Sequence, residues 1–214
     1  MGRRLVAIAL ATVLVVATVA PVLGTHWHRY SIAQEFSKGT VYSALEVSRT
    51  TPDYQIAACG HTPAPTAYQT QWIIFNSDPD WIEIGSGHYC DGGHDHFYGF
   101  GINGSFFWIN QIPINPPLSE RPFMMNQVGC TYNFYINTAL QPGSYADCRR
   151  GARVETGLES YDSAGNFGWV WYTNLRIKAN GGSWVSWTGQ DDESVDAGMG
   201  GNWQADNAWR AWQP

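Results

Sequence analysis

Alternating apolar and polar residues dominate the chain beyond residue 38, and Gly, Pro, Asn and Asp separate the alternating runs. A period of two places successive side chains on opposite faces of an extended chain, so this pattern predicts β-strands joined by turns. The predicted strands are Thr40–Ser48, Gln69–Asn76, Trp81–Tyr89, His96–Ile102, Ser105–Ile112, Cys130–Thr138, Arg153–Tyr161, Phe167–Ala179 and Ser183–Thr188. The helical candidate is Ile32–Ser37. Many short strands with frequent turns predict an all-β, antiparallel two-sheet sandwich or a barrel.

Two turn sequences support this pattern. Asn103-Gly104 joins two aromatic strands, and Asn180-Gly181-Gly182 follows the longest predicted strand. Asn and Gly tolerate the positive φ angles that two-residue hairpin turns require. Both sequences therefore predict tight hairpins.

Three of the predicted strands have one apolar face and one face that mixes aromatic, Asn and Glu side chains. The residues predicted to face the core are Ile82, Ile84, Tyr132, Phe134, Ile136, Val154 and Leu158. The residues predicted to face away from it are Trp81, Glu83, Asn133, Tyr135, Glu155, Glu159 and Tyr161. The second set resembles the lining of a binding groove, so we expect Trp81, Asn133, Tyr135, Glu155 and Tyr161 to contact a ligand.

The composition narrows the possible partners. The chain of 214 residues has 12 Lys and Arg against 18 Asp and Glu, a net charge of -6, which argues against a nucleic-acid partner. Its 9 Phe, 11 Trp and 11 Tyr exclude a disordered chain. The tail carries Trp184, Trp187, Trp203, Trp209 and Trp212, of which we expect some to close the core and others to provide apolar platforms for a ligand.

The first 24 residues predict export. Arg3 and Arg4 precede an uncharged apolar run from Leu5 to Leu23, and small residues before Thr25 suit a signal peptidase. The alternative is an uncleaved anchor, because this run is nearly long enough to span a bilayer. We expect a signal peptide at 1–24, a lead-in at 25–39 and a β-sandwich domain at 40–214, secreted and without stable membrane insertion after cleavage.

Four cysteines follow the predicted signal peptide. An even number in an exported chain predicts two disulfides, with three possible connectivities. We favour Cys59–Cys90 and Cys130–Cys148, because each pair would tie neighbouring strands across a loop.

A short histidine-rich segment is the candidate metal site. His88, His94 and His96 lie within nine residues, and the latter two would project from the same side of a strand. The Asp91-Gly92-Gly93 centre is typical of a hairpin turn with solvated polar residues. We therefore predict no cofactor, and these histidines remain the candidates if a metal binds.

The late strand Phe167–Ala179, with Tyr172-Thr173-Asn174-Leu175, resembles the last long strand of concanavalin A-like jelly rolls. A narrower resemblance is to the secreted glutamic peptidases of the eqolisin and neprosin types. Their first catalytic residue lies in a short hydrophobic strand ending in Gly, similar to Trp81-Ile82-Glu83-Ile84-Gly85, and their second resembles Glu159 in Gly157-Leu158-Glu159. The resemblance implies a jelly-roll sandwich with Glu83 and Glu159 as a catalytic pair.

Two functional hypotheses follow, with an extracellular polysaccharide or polypeptide as the partner. The first, which we favour, is a lectin-like module that binds a polymer, with a glycan as the expected ligand, through its aromatic residues. The second is an acid endopeptidase in which one of Glu83 and Glu159 holds a proton and the other activates water. Glycan hydrolysis by the same pair and a structural surface role are further alternatives. The Glu-x-Asp-x-x-Glu sequence of laminarinase-like glucanases is absent.

Overall fold

The computed structural model describes residues 29–35, 39–51, 66–75, 80–114, 118–161, 167–187 and 192–214. Within these residues the chain forms two antiparallel β-sheets. The first, here called the front sheet, contains β1 (Arg29–Glu35), β3 (Thr66–Phe75), β4 (Asp80–Tyr89), β5 (His94–Ile102), β6 (Ser105–Pro113), β10 (Arg153–Ser160) and β13 (Asp192–Val195). Its strand order is β13-β1-β10-β3-β4-β5-β6.

The second, here called the back sheet, contains β2 (Tyr42–Thr51), β7 (Leu118–Val128), β8 (Thr131–Ile136), β9 (Ala139–Ala146), β11 (Phe167–Ala179), β14 (Gly200–Ala205) and β15 (Ala208–Gln213). Its order is β14-β15-β11-β2-β7-β8-β9, and the short β12 (Val185–Ser186) pairs with β11. Among the described residues no helix is long and apolar enough to cross a membrane.

The core lies between the two sheets and follows from the alternation. Ile82, Ile84, Val154 and Leu158 of the front sheet are fully buried there, as predicted. Tyr132, Phe134 and Ile136 of the back sheet meet them, and Trp187 and Trp209 add large apolar volume. The all-β two-sheet sandwich is thus confirmed. Of the tail tryptophans, Trp187 and Trp209 lie in the core as expected, whereas Trp184, Trp203 and Trp212 are half-buried.

The helix predicted over Ile32–Ser37 is wrong in its described part. This stretch belongs to β1, which pairs with β10 on one side and β13 on the other. Ser31, Ala33 and Glu35 face the core although two of them are polar, so the usual apolar alternation is not visible in the sequence. The strand at Ser183–Thr188 is shorter than predicted, because only Val185–Ser186 pairs with a neighbour in the described part of the chain.

Both predicted turns form, and the first of them is the tight hairpin expected. Asn103 and Gly104 have φ angles of 51° and 76°, and Asn180 and Gly181 have 52° and 72°. These left-handed conformations suit Asn and Gly. Asn103-Gly104 folds β5 onto β6 through a two-residue connection, whereas Asn180-Gly181 lies in the longer connection from β11 to β12, in which Ile177 pairs with Val185.

The disulfide between Cys130 and Cys148 is present and ties the start of β8 to the segment after β9. Cys90 is also disulfide-bonded. Cys59 and the predicted signal peptide lie outside the described residues.

Candidate functional site

A groove of about 810 Å³ crosses the face of the front sheet that points away from the core. Side chains from β1, β3, β4, β5, β6, β10 and β13 line it. The sheet alternation brings Trp81, Glu83, Glu155, Glu159 and Tyr161 together in this groove. Five of the seven residues predicted to face away from the core therefore share one site.

Glu83 is the most strongly perturbed acid of the groove. Its carboxylate accepts hydrogen bonds from the Thr70 hydroxyl at 2.7 Å and from the Trp81 indole N–H at 3.0 Å. Burial and, next in size, the negative charge of Glu159 raise its pKa to about 8, against the opposing effect of these hydrogen bonds. Glu83 is therefore protonated at neutral pH.

Glu159 lies among tyrosines. The Tyr161 hydroxyl donates a hydrogen bond to it at 2.8 Å, and Tyr30 is its neighbour across the β1–β10 pair. Burial, then the charge of Glu159, raises the pKa of both tyrosines, which therefore stay neutral hydrogen-bond donors. The carboxylate thus has neutral hydroxyl groups around it.

Two glycines flank Thr70 on the floor between the two acids. In the register of the front sheet, Thr70 of β3 lies between Gly85 of β4 and Gly157 of β10. A side chain at Gly85 would overlap the Phe97 ring, and one at Gly157 would overlap the backbone of β1. The glycines therefore allow the Phe97 ring and the backbone of β1 to pack closely against the floor on either side of Thr70.

Glu155 has other partners. Its Oε1 accepts a hydrogen bond from the Gln34 side chain at 2.6 Å and pairs with Arg153 at 2.6 Å. Burial raises its pKa, and the charge of Arg153 and these hydrogen bonds oppose that change. Because it is held in this pair, Glu155 shapes the polar end of the groove.

The opposite end of the groove is aromatic. Trp81 stacks on Phe106 with ring centroids 6.3 Å apart, and Trp108 packs edge-on against Phe97 at 5.1 Å. Trp108 remains 45% exposed, so it can accept an apolar group of a ligand. We call Trp81, Phe97, Phe106 and Trp108 the aromatic wall.

Asn133 and Tyr135 do not join this site. They lie on β8 in the back sheet, and their neighbours Tyr132, Phe134 and Ile136 fill the core. Their side chains therefore point to the opposite surface of the sandwich. Placing them in the groove was wrong, because alternation separates inside from outside without telling which sheet a strand joins.

The histidines face the core. His88 and His96 are almost fully buried, and burial lowers the pKa of each to about 3, helped by nearby positive charges. The His88 and His94 rings pack edge-on with centroids 4.7 Å apart. In the described part of the chain, no group of three or more His, Cys, Asp or Glu residues has the geometry to hold a metal ion.

Several groove residues were not predicted from the sequence. Tyr30 and Gln34 come from the segment interpreted as a lead-in, Tyr68 precedes the predicted strand Gln69–Asn76, and Trp72 comes from that strand, whose faces were not assigned. The apolar alternation gave no signal for the β3 residues, because the core positions between them include Gln69 and Gln71.

A scan against protein-family models and a search of curated proteins give no match. Solved structures do match. Scytalido-glutamic peptidase, in a crystal structure with a transition-state analogue inhibitor, is similar with a TM-score of 0.58 at 11% identity, covering 86% of this chain and 96% of the peptidase. SCP-B, a member of the eqolisin family of peptidases in a complex with the tripeptide Ala-Ile-His, gives a TM-score of 0.54 at 12% identity over the same shares.

The chain has the fold of these glutamic peptidases. The sandwich implied by the sequence resemblance is confirmed as a fold. At such low identity the similarity carries the architecture, and activity has to be argued from the groove itself.

Proposed function

We propose that this protein is a hydrolase that cleaves an extended polypeptide in the groove of the front sheet, with Glu83 and Glu159 as its acid–base pair. The observation that carries the proposal is the pair itself. Both side chains line one cavity, and Glu83 is buried strongly enough, and close enough to the charge of Glu159, to remain protonated at neutral pH. Two acids with unequal environments are what general acid–base hydrolysis requires.

The roles follow from the protonation of Glu83. Glu159 takes a proton from a water molecule, whose oxygen attacks the carbonyl carbon of the scissile bond. Protonated Glu83 donates to the carbonyl oxygen, which carries the developing negative charge. When the tetrahedral intermediate collapses, the C–N bond breaks, Glu159 returns its proton to the leaving nitrogen, and Glu83 regains a proton from the hydroxyl group. The net change is addition of one water across the bond.

The length of the groove fits an extended chain better than a compact ligand. It runs from β13 to β6 across the whole front sheet, with the aromatic wall at one end and Gln34, Arg153 and Glu155 at the other. A substrate spanning it meets apolar and polar surfaces on either side of the acid pair. The same proposal places the protein outside the cell, supported by the apolar run of residues 5–23 and by the Cys130–Cys148 disulfide.

Hydrolysis of a denatured, fluorescently labelled protein between pH 4 and 9 tests the proposal. We expect Glu83→Gln and Glu159→Gln each to lower kcat by at least about 100-fold. Wild-type activity is expected to fall as the pH rises through about 8, where Glu83 loses its proton. Glu46→Gln is the matched control, because Glu46 is an acid of β2 paired with Arg176, away from the groove. Wild-type rates in both groove variants would contradict the mechanism.

Glycan binding is a second candidate, favoured by the aromatic wall. Trp81, Phe106 and Trp108 present flat apolar surfaces of the kind that stack on sugar rings. Retention on a panel of immobilised polysaccharides tests it. Binding predicts that Trp108→Ala abolishes retention while Glu159→Gln leaves it unchanged, and a panel without any retention would exclude this function.

A further inference from the structure

A buried arginine lies between the two sheets, on the side of the front sheet opposite the groove. Arg49 of β2 is 0% exposed, and its Nε, Nη1 and Nη2 atoms have no hydrogen-bond partner among the described residues. Its guanidinium carbon lies 3.5 Å above the centre of the Phe123 ring. A charge removed from water is costly unless it is paired, and one aromatic face replaces only part of the lost hydration.

Other unpartnered polar groups surround it. Tyr172 of β11 is the register partner of Arg49, and its buried hydroxyl has no hydrogen-bond partner in the described structure. His96 of β5 approaches from the front sheet, with its ring 4.9 Å from that of Phe123. Its Nδ1 lies 2.9 Å from the Ser86 hydroxyl, while its Nε2 has no partner in the described residues. Hydrogen-bond donors from both sheets thus converge near one guanidinium.

The cluster carries a positive charge that no described carboxylate balances by contact. Burial lowers the pKa of Arg49 to about 9, so it remains a cation at neutral pH, whereas His88 and His96 are neutral there. Arg121, the register partner of Arg49 on β7, adds to the positive potential. Glu83 is within electrostatic range, but its side chain lies on the groove face of the sheet.

We propose that the interior between the sheets binds a small monovalent anion of the halide class, with Arg49 as its charge partner and the Tyr172 hydroxyl and His96 Nε2 as neutral donors. A halide suits this site because it is compact and, being spherical, accepts hydrogen bonds from donors in any direction. The fully buried Phe123 ring, which packs against the Arg49 guanidinium, disfavours a larger oxyanion. The site is separate from the groove, and the proposal does not depend on catalysis.

The test is the chloride dependence of unfolding. The protein is unfolded in urea at pH 7 with 5 to 500 mM sodium chloride, and sodium gluconate keeps the ionic strength constant. For an ion that binds only the folded state, each tenfold rise in chloride above its dissociation constant lowers the unfolding equilibrium constant about tenfold. We expect this response in the wild type and its loss in Arg49→Met.

Arg176→Met is the matched control, because Arg176 is an exposed arginine on the outer face of the same sheet. It is expected to keep the wild-type response. An unchanged unfolding constant across the chloride series, or an equal response in Arg49→Met, would overturn the proposal. If Arg49→Met does not fold, wild-type crystals grown in sodium bromide decide the matter. An anomalous peak beside the Arg49 guanidinium is expected, and its absence would also overturn the proposal.

Discussion

Replacing Glu83 by Gln removes the carboxyl group whose pKa burial raises from 4.5 to about 8. In the wild type the folded state holds a proton on Glu83 that the unfolded chain loses above pH 4.5. The stability linked to this proton is fully present below pH 4.5 and is lost as the pH rises through 8. At about 1.4 kcal/mol per pH unit, the loss approaches about 5 kcal/mol at pH 8.

Urea unfolding at pH 5, 6, 7, 8 and 9 measures this loss. We expect Glu83→Gln to gain stability relative to the wild type as the pH rises from 5 to 8, with little further change above it. Gln leaves Thr70 and Trp81 with an altered hydrogen-bond partner, which adds an offset that does not vary with pH. The buried histidines are present in both proteins, so their titration cancels in the difference.

Glu46→Gln serves again as the control and is expected to follow the wild type at every pH. A constant difference in unfolding free energy between Glu83→Gln and the wild type from pH 5 to 9 would refute the reasoning. Glu83 would then titrate like an exposed acid, and the groove would lose its proton donor.

Three further predictions concern the frame around the site. The folded-state pKa values of His88 and His96 are lowered to about 3, so the stability linked to their neutral forms is present above pH 6.5 and is lost as the pH falls toward 3. In urea unfolding between pH 6.5 and 3, we expect the unfolding free energy of His96→Gln to fall less steeply than that of the wild type, by about 1.4 kcal/mol per pH unit. Thr138 has a φ of 66°, which is strained for a β-branched residue. We therefore expect Thr138→Gly to raise the unfolding free energy by about 1 kcal/mol. An unchanged denaturation midpoint would argue against strain at this position. Gly157→Ala places a methyl group against the Ser31 carbonyl oxygen, so we expect the unfolding free energy measured in urea to fall by about 2 kcal/mol. A melting temperature equal to that of the wild type would contradict the close approach of β1 and β10.

Much of the groove was predictable where polar and apolar residues alternate cleanly. Trp81 and Glu83 alternate with Ile82 and Ile84, and this local pattern alone puts the pair outside the core. Glu155 and Glu159 follow from Val154 and Leu158 in the same way. The helix predicted at Ile32–Ser37 failed because Ser31 and Glu35 face the core, so polarity no longer marked the outside of that strand.

The sequence by itself determined the class of the fold, its hairpin turns and which side chains of most strands face inward, because these depend on the chain over a few residues. Only the tertiary structure decided which strands share a sheet. In the front sheet β3 lies between β4 and β10, so Glu83 and Glu159 line one groove. Asn133 and Tyr135 lie on β8 of the back sheet and therefore on the opposite surface. The same packing buried Arg49 between the sheets. Strand order and register depend on contacts between residues far apart in the chain, and the alternation within one strand does not determine these contacts.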